Sequence, residues 1–144
     1  MKKIKKSVLF ICADQWRFDC FSFLNHEYVL TPNLDKLAKK SVIFKSHFAG
    51  IVPCGPSRTT MLTGLYPFIH RSVYNGAPLD KRFTNIAKEA RKLDYNPSLY
   101  GYTDTSWDPR YLDPKDEKNF TYESPMEGFD DGCVLPGGKP EPLS

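Results

Sequence analysis

The chain predicts an α/β fold, a mostly parallel sheet flanked by helices, and three observations carry that expectation. Val8 to Ala13 is a continuous apolar run, the pattern of a strand buried on both faces. Sequence signals alternate along the chain in the order strand, helix, strand, helix, helix, strand. At 144 residues, 40% hydrophobic and 26% charged, the chain is one domain's worth of soluble, globular sequence.

Taken in order, the opening "MKKIKKSVLFICADQW" imitates a secretory leader, with four lysines before an apolar stretch. That stretch, Ser7 to Ala13, is at the short limit for such a leader. It then meets Asp14, Gln15 and Trp16 with no small-residue cleavage site, so a first strand explains it better. Nothing approaches the length of a membrane span. Ligands of open α/β sheets bind just past the carboxyl ends of strands, which makes Asp14 a site candidate. Position alone leaves it open between that role and a helix cap or loop acid.

"TPNLDKLAKK" reads as a helix with Thr31 as N-cap, Pro32 at the first position, and Leu34, Leu37 and Ala38 on one face. Val42 to Phe48, "VIFKSHF", reads as a second strand, whose His47 is a ligand or, more ordinarily, a structural histidine. The loop "AGIVPCGP" leads into a short helix over Ser57–Thr63 that Gly64 stops. A turn-rich stretch then runs to Asp80, with Asn75-Gly76 as its strongest turn signal. Thr84 to Leu93 is a helix with Ile86, Ala87, Ala90 and Leu93 on one face, and Pro97 to Tyr102 is a third strand. Residues 103–144 carry six prolines and four glycines, the composition of a long functional loop, a linker or a disordered segment.

Charge is uneven. Residues 1–102 hold 16 Lys/Arg against 7 Asp/Glu, and residues 103–144 hold 4 against 10. The basic part would favour an anionic substrate through its summed field, although an unequally sampled solvated surface gives the same numbers. No helix-turn-helix, zinc-finger or aromatic RNA-binding pattern supports nucleic-acid binding. The lysines at positions 2, 3, 5 and 6 read as a solvated tail. Cys12, Cys20, Cys54 and Cys133 match neither a zinc site nor a compact disulfide framework, which favours a reducing, cytoplasmic setting.

The densest chemistry lies in "CGPSRTTMLTG", Cys54 to Gly64. Pro56 favours a helix start, so Cys54 falls at or just before a helix N-terminus, where backbone N–H groups and the dipole favour negative charge. A cysteine there gains reactivity. Arg58, four residues on, projects from the same face, and its planar fork suits a tetrahedral oxyanion. The set suggests nucleophilic attack on a sulfate or phosphate group. A structural cysteine ahead of a helix remains the plainer alternative.

Cys54-Gly55-Pro56-Ser57-Arg58, followed by Leu62-Thr63-Gly64, resembles the signature of the sulfatases, in the alkaline phosphatase superfamily. The stretches "LFICADQWRFDC", "TPNLDKLAKKSVIF", "PCGPSRTTMLTGLYPFIHRSVYNGAPLD" and "YNPSLYGYTDTSWDPR" look like the phosphonate monoester hydrolases and phosphodiesterases of that family. The resemblance extends from Val8 to Arg110. It implies the N-terminal part of an alkaline-phosphatase-like sandwich, with 1–110 inside the catalytic domain and 111–144 an acidic loop or incomplete continuation.

The resemblance also implies that a separate formylglycine-generating enzyme converts Cys54 to formylglycine, reading the cysteine, proline and arginine of this stretch. A hydrated aldehyde carries two hydroxyls. One attacks sulfur or phosphorus, and deprotonation of the other releases the oxyanion, an exit closed to cysteine or serine. By the same resemblance Asp14 and the modified Cys54 ligate a divalent cation, Mn²⁺ or Ca²⁺, and Arg58 holds the formylglycine and its metal-bound surroundings. Asn75 and Tyr102 correspond to substrate-contacting residues; simple turn chemistry with Gly76 is the other reading of Asn75.

Two departures stand out. Gln15 replaces the second aspartate of many arylsulfatases, and Asp104 stands where the phosphonate hydrolases carry threonine. An acid so near an anionic substrate repels it unless a metal or an arginine partners it. Family members are also several hundred residues long, and their remaining metal ligands and a substrate-binding histidine and lysine come from later sequence. The expected function is therefore metal-dependent hydrolysis of small anionic sulfate, phosphonate or phosphate esters, present here as an N-terminal portion. The alternative is a non-catalytic remnant or oxyanion-binding module. Neither nucleic acid nor membrane is an expected partner, and self-association is an expectation only for a full-length form.

Overall fold

The computed structural model describes residues 6–123 and 125–133. The lysines at positions 2, 3 and 5 and the closing "GGKPEPLS" lie outside the described residues. The chain divides into two compact units, Met1–His47 and Phe48–Ser144.

In the first unit, helix α1 spans Pro32–Ala38. Pro32 opens it as the sequence predicts, its fixed φ suited to a first helical position. Thr31 precedes the helix but its side chain does not cap it. Its Oγ1 donates instead to Asp35 at 3.1 Å and accepts the Ser22 N–H at 3.0 Å, while Ser22 Oγ donates to Asp35 at 2.8 Å. This cluster ties α1 to a 3-10 turn over Ser22–Leu24. Beside it, Trp16 stacks on Phe21 with ring centroids 5.3 Å apart.

The expected strands at Val8–Ala13 and Val42–Phe48 do not form among the described residues. Val8, Leu9, Phe10 and Ile11 are 83, 84, 65 and 80% exposed, and Val42 and Phe44 are nearly as open. Apolar runs register a preference for burial, whereas a strand also needs the backbone of a neighbour. Among the described residues no neighbouring strand serves either segment.

The second unit holds α2 (Cys54–Thr63), α3 (Pro67–His70) and α4 (Ile86–Lys92), with α2 packed against both others. Helix α2 begins three residues earlier than predicted and ends on Gly64 at φ 69°, the left-handed cap the sequence signals. Helix α4 is capped by Asn85, whose Oδ1 accepts the Lys88 N–H at 3.0 Å.

Strand β1 (Ser98–Tyr100) falls inside the predicted third strand. It pairs in parallel with β2 (Asp130–Cys133), Ser98 opposite Asp130 and Tyr100 opposite Cys133. Strand β2 lies in the stretch expected to be loop. Its sequence Asp-Asp-Gly-Cys has no strand propensity. Arg91 anchors its approach through the Gly128 carbonyl at 2.5 Å and Asp130 at 2.6 Å. Among the described residues the sheet has these two strands.

The core of this unit is small and rich in short polar side chains. Thr59, Ser72, Asn85, Thr103 and Thr105 are buried beside Leu62, Ala77, Ala87 and Met126. Ser72, Asn85 and the Thr103–Thr105 pair have hydrogen-bond partners there, whereas the buried Thr59 hydroxyl has none among the described residues.

Candidate active site

Cys54 is the first residue of α2, half-buried, with Pro53 at the N-cap. The next three residues account for the amides of the first turn. The Gly55 N–H donates to Asn75 Oδ1 at 2.8 Å, Pro56 has no N–H, and the Ser57 N–H reaches the Pro53 carbonyl at 3.1 Å. The amides of Gly55 and Ser57 are thus engaged within the chain, which removes them from the anion-binding role that helix position alone suggests. Asn75 is brought to the residue after Cys54, combining a turn position with a side-chain hydrogen bond to the first turn of α2.

Arg58 lies one turn into α2, and its guanidinium makes contacts with Tyr102 and Asp104. Nη1 donates to the Tyr102 carbonyl at 2.9 Å. The guanidinium carbon lies 4.5 Å from the centre of the Tyr102 ring, a stacked cation–π contact. Nη1 also pairs with Asp104 Oδ2 at 3.1 Å. The Arg58 and Asp104 side chains are 13% and 8% exposed, so water screens the pair weakly.

The backbone at Asp104 is as constrained as its carboxylate. Its φ is 54°, in the left-handed region that aspartate tolerates better than most residues. Its carbonyl accepts the Gly76 N–H at 2.8 Å, and the Gly76 carbonyl accepts Ser106 Oγ at 2.6 Å. A Cβ on Gly55 would lie 2.5 Å from the Asp104 carbonyl oxygen. Gly55 is therefore required for α2 to approach this loop. Sequence reading passed over it, although a glycine as the second residue of a helix is itself a signal of close approach.

A second polar link runs from α2 to the turn after α3. Thr60 Oγ1 lies 2.9 Å from His70 Nε2, and His70 Nδ1 accepts the Ser72 N–H at 3.0 Å. An imidazole accepting at Nδ1 carries its proton at Nε2, which donates to Thr60. Burial holds the His70 pKa below its ordinary value.

The structure thus joins Arg58, Tyr102 and Asp104 directly, and sets Asn75 on the residue after Cys54. Asp14 belongs to the first unit, where it occupies an exposed turn. His47, in the same unit, is exposed and outside any strand. Among the described residues no group of three or more His, Cys, Asp or Glu is arranged to hold a metal ion. Among them, too, no helix is long and apolar enough to cross a membrane.

A protein-family profile described as Sulfatase matches residues 6–133. The multifunctional alkaline phosphatase superfamily protein PehA of Trinickia caryophylli is 42% identical over 130 residues, covering 87% of this chain and 25% of PehA. The crystal structure of the phosphonate monoester hydrolase of Agrobacterium radiobacter superposes with a TM-score of 0.81 at 51% identity, covering 87% of this chain and 25% of that one. The phosphonate monoester hydrolase of Silicibacter pomeroyi gives 0.82 at 49% identity, covering 88% and 25%. The chain spans about a quarter of the length of these relatives.

Proposed function

The chain belongs to the sulfatase family, and from that premise we propose that it carries the nucleophile end of a hydrolase of sulfate or phosphonate/phosphate esters. The single observation that supports this best is the hold of Tyr102 and Asp104 on Arg58 one turn beyond Cys54. A structural cysteine ahead of a helix calls for no such arrangement. An arginine fixed by a carbonyl, a ring and a carboxylate is a preorganised group, aimed at little entropic cost during reaction.

In this reading Cys54 is the precursor of formylglycine, which supplies a geminal diol as nucleophile. The residues of the chain hold it in place. Asn75 fixes the start of α2, Gly55 lets the helix approach the loop at 103–106, and Arg58 presents its guanidinium along the helix face. Tyr102, 42% exposed, offers its ring edge and hydroxyl to a small anionic ester. The cysteine usage supports a cytoplasmic setting.

The described residues do not make a metal site by themselves. Asp14 is the one acid ligand that the resemblance assigns here, and no group of three donors accompanies it among the described residues. A tight site for a hard cation takes more oxygen ligands than that.

The competing reading, an oxyanion-binding module without turnover, loses its main support in the geometry. The amides of Gly55 and Ser57 are used by Asn75 and Pro53.

The test is the intact mass of the protein made in its native organism, with the peptide around Cys54 mapped in the same run. Cys54 carrying an aldehyde oxygen in place of its sulfur, together with release of nitrophenol from a nitrophenyl sulfate or phosphonate ester, is the expected result. Unmodified Cys54 in protein that turns over none of these esters sinks the reading.

A further inference from the structure

We infer that Ser106 is a positioning residue for this site. Its hydroxyl latches the Asn75-Gly76 turn to the loop that carries Tyr102, and so fixes Asn75 relative to the start of α2. The inference rests on the hydrolase reading above, in which Asn75 and Tyr102 meet the substrate.

Ser106 Oγ donates to the Gly76 carbonyl at 2.6 Å, within the range of a good hydroxyl hydrogen bond. The Gly76 N–H donates in turn to the Asp104 carbonyl at 2.8 Å. Gly76 is thus gripped at both of its peptide groups by one loop. A single bond would let the turn pivot about it, whereas two bonds fix its direction. A Cβ on Gly76 would lie 3.3 Å from the Tyr122 Cβ, so the turn is also backed by Tyr122. The gripping loop is itself stiffened, because the Thr103 and Thr105 hydroxyls, both on buried residues, lie 2.7 Å apart.

The grip reaches the nucleophile through the neighbouring residue. Asn75 Oδ1 accepts the Gly55 N–H at 2.8 Å, one residue beyond Cys54. With Oδ1 committed there, Asn75 presents its Nδ2 group to a substrate oxygen. On the other side of the loop, the Tyr102 carbonyl accepts Arg58 Nη1 at 2.9 Å. The bonds close a ring. It runs from α2 through Gly55 to Asn75, through Gly76 to residues 104 and 106, back along the loop to Tyr102, and through Arg58 into α2. Ser106 contributes to this ring through its hydroxyl, a group that one substitution removes. A displacement of about 1 Å at a substrate contact is enough to cost much of the rate.

Two measurements test this on the full chain with converted Cys54, using Ser106→Ala and Ser106→Thr. The first is steady-state hydrolysis of a nitrophenyl phosphonate monoester. Ser106→Ala is expected to raise KM about tenfold with a much smaller change in kcat, and Ser106→Thr, which keeps the hydroxyl, to restore KM toward the wild-type value. The second is amide hydrogen exchange. Ser106→Ala is expected to speed exchange at Gly55 and Gly76 about tenfold relative to Glu89 in α4, whose N–H donates to the Asn85 carbonyl and reports general loosening.

A merely structural Ser106 would lower kcat with the folded fraction, leave KM unchanged and speed all three amides alike. That outcome overturns the inference and leaves the hydrolase reading standing. A KM for Ser106→Thr as high as that of Ser106→Ala also counts against it, since the hydroxyl would then not be what positions the turn. If wild-type protein with converted Cys54 turns over no ester, the hydrolase reading falls, and the exchange rates alone decide whether Ser106 holds the turn. Equal exchange at Gly55 and Gly76 in wild type and Ser106→Ala refutes it in either case.

Discussion

A Cβ at position 55 would meet the Asp104 carbonyl oxygen at 2.5 Å and the Asn75 Cα at 3.1 Å, both backbone atoms. Neither can rotate aside as a side-chain end could. Alanine is the better helix former, by about 1 kcal/mol in a helix interior, yet overpacking against fixed backbone costs about 1–3 kcal/mol. The clash wins, so Gly55→Ala is expected to lower the unfolding free energy by about 2 kcal/mol in urea titration. It should also loosen the Arg58–Asp104 pair, since the loop at 104 must retreat. The opposite sign, a more stable protein, would mean the loop yields freely. Arg58→Lys tests the fork itself. A single ammonium cannot stack on Tyr102 while donating to its carbonyl and to Asp104. The part-buried carboxylate loses much of its compensation, and a loss of about 2–3 kcal/mol is expected by the same assay. Equal stability of Arg58→Lys and wild type would show that the triple contact contributes nothing.

The helices of the second unit are joined through polar pairs, and two of these are directly testable. Asn85, 1% exposed, caps α4 through Lys88 and donates its amide to the Glu127 carbonyl at 2.8 Å. Asn85→Ala removes both bonds, with an expected cost of about 2–3 kcal/mol, above that of an exposed cap. A loss no larger than that of an exposed cap would show the Glu127 bond to be idle. His70 links α2 to the turn after α3, and its depressed pKa fixes the sign of a pH effect. The folded state binds fewer protons at His70 than the unfolded state, so its contribution is complete above the ordinary value of 6.5 and is lost as pH falls through the lower folded value. Protonation at Nδ1 also forfeits the Ser72 bond. Thermal melts between pH 7 and pH 5 should show falling stability in the wild type and a flatter profile in His70→Gln; parallel profiles would remove His70 from this role. What the sequence made legible follows the same line between local and non-local causes. Helix α2, its Gly64 stop, Pro32 at the start of α1 and the position of β1 are written in neighbouring residues. Strand β2 is not, because Asp-Asp-Gly-Cys becomes a strand only through the backbone of β1 and the reach of Arg91. Within the site, the motif announces Cys54 and Arg58, and Asp104 announces its need for a partner. That the partner is Arg58, and that Gly55 makes room for the loop, are contacts across about fifty residues that no local pattern encodes.

At the scale of the whole chain, family membership meets an uneven distribution of burial. The described residues match a quarter of each related hydrolase structure at TM-scores above 0.8. Yet Val8, Leu9, Ile11, Phe48 and Phe120 each stand 80% exposed or more, and Tyr100 on β1 is 76% exposed. A two-stranded parallel pair is also rarely stable with open faces, since parallel sheets occur with both faces covered. Such surface on a 144-residue chain exceeds what scattered single residues on a soluble protein present. The 144-residue chain expressed by itself should therefore bind an apolar dye such as ANS strongly and sediment as a broad distribution of associated species. Paired substitutions Leu9→Lys and Ile11→Lys should narrow that distribution without touching the Arg58–Asp104 contact, which is confined to the second unit. A sharp monomer boundary with no dye binding in the unaltered chain would show that the apolar segments find cover within the 144 residues. Val8–Ala13 would then be covered within the chain itself.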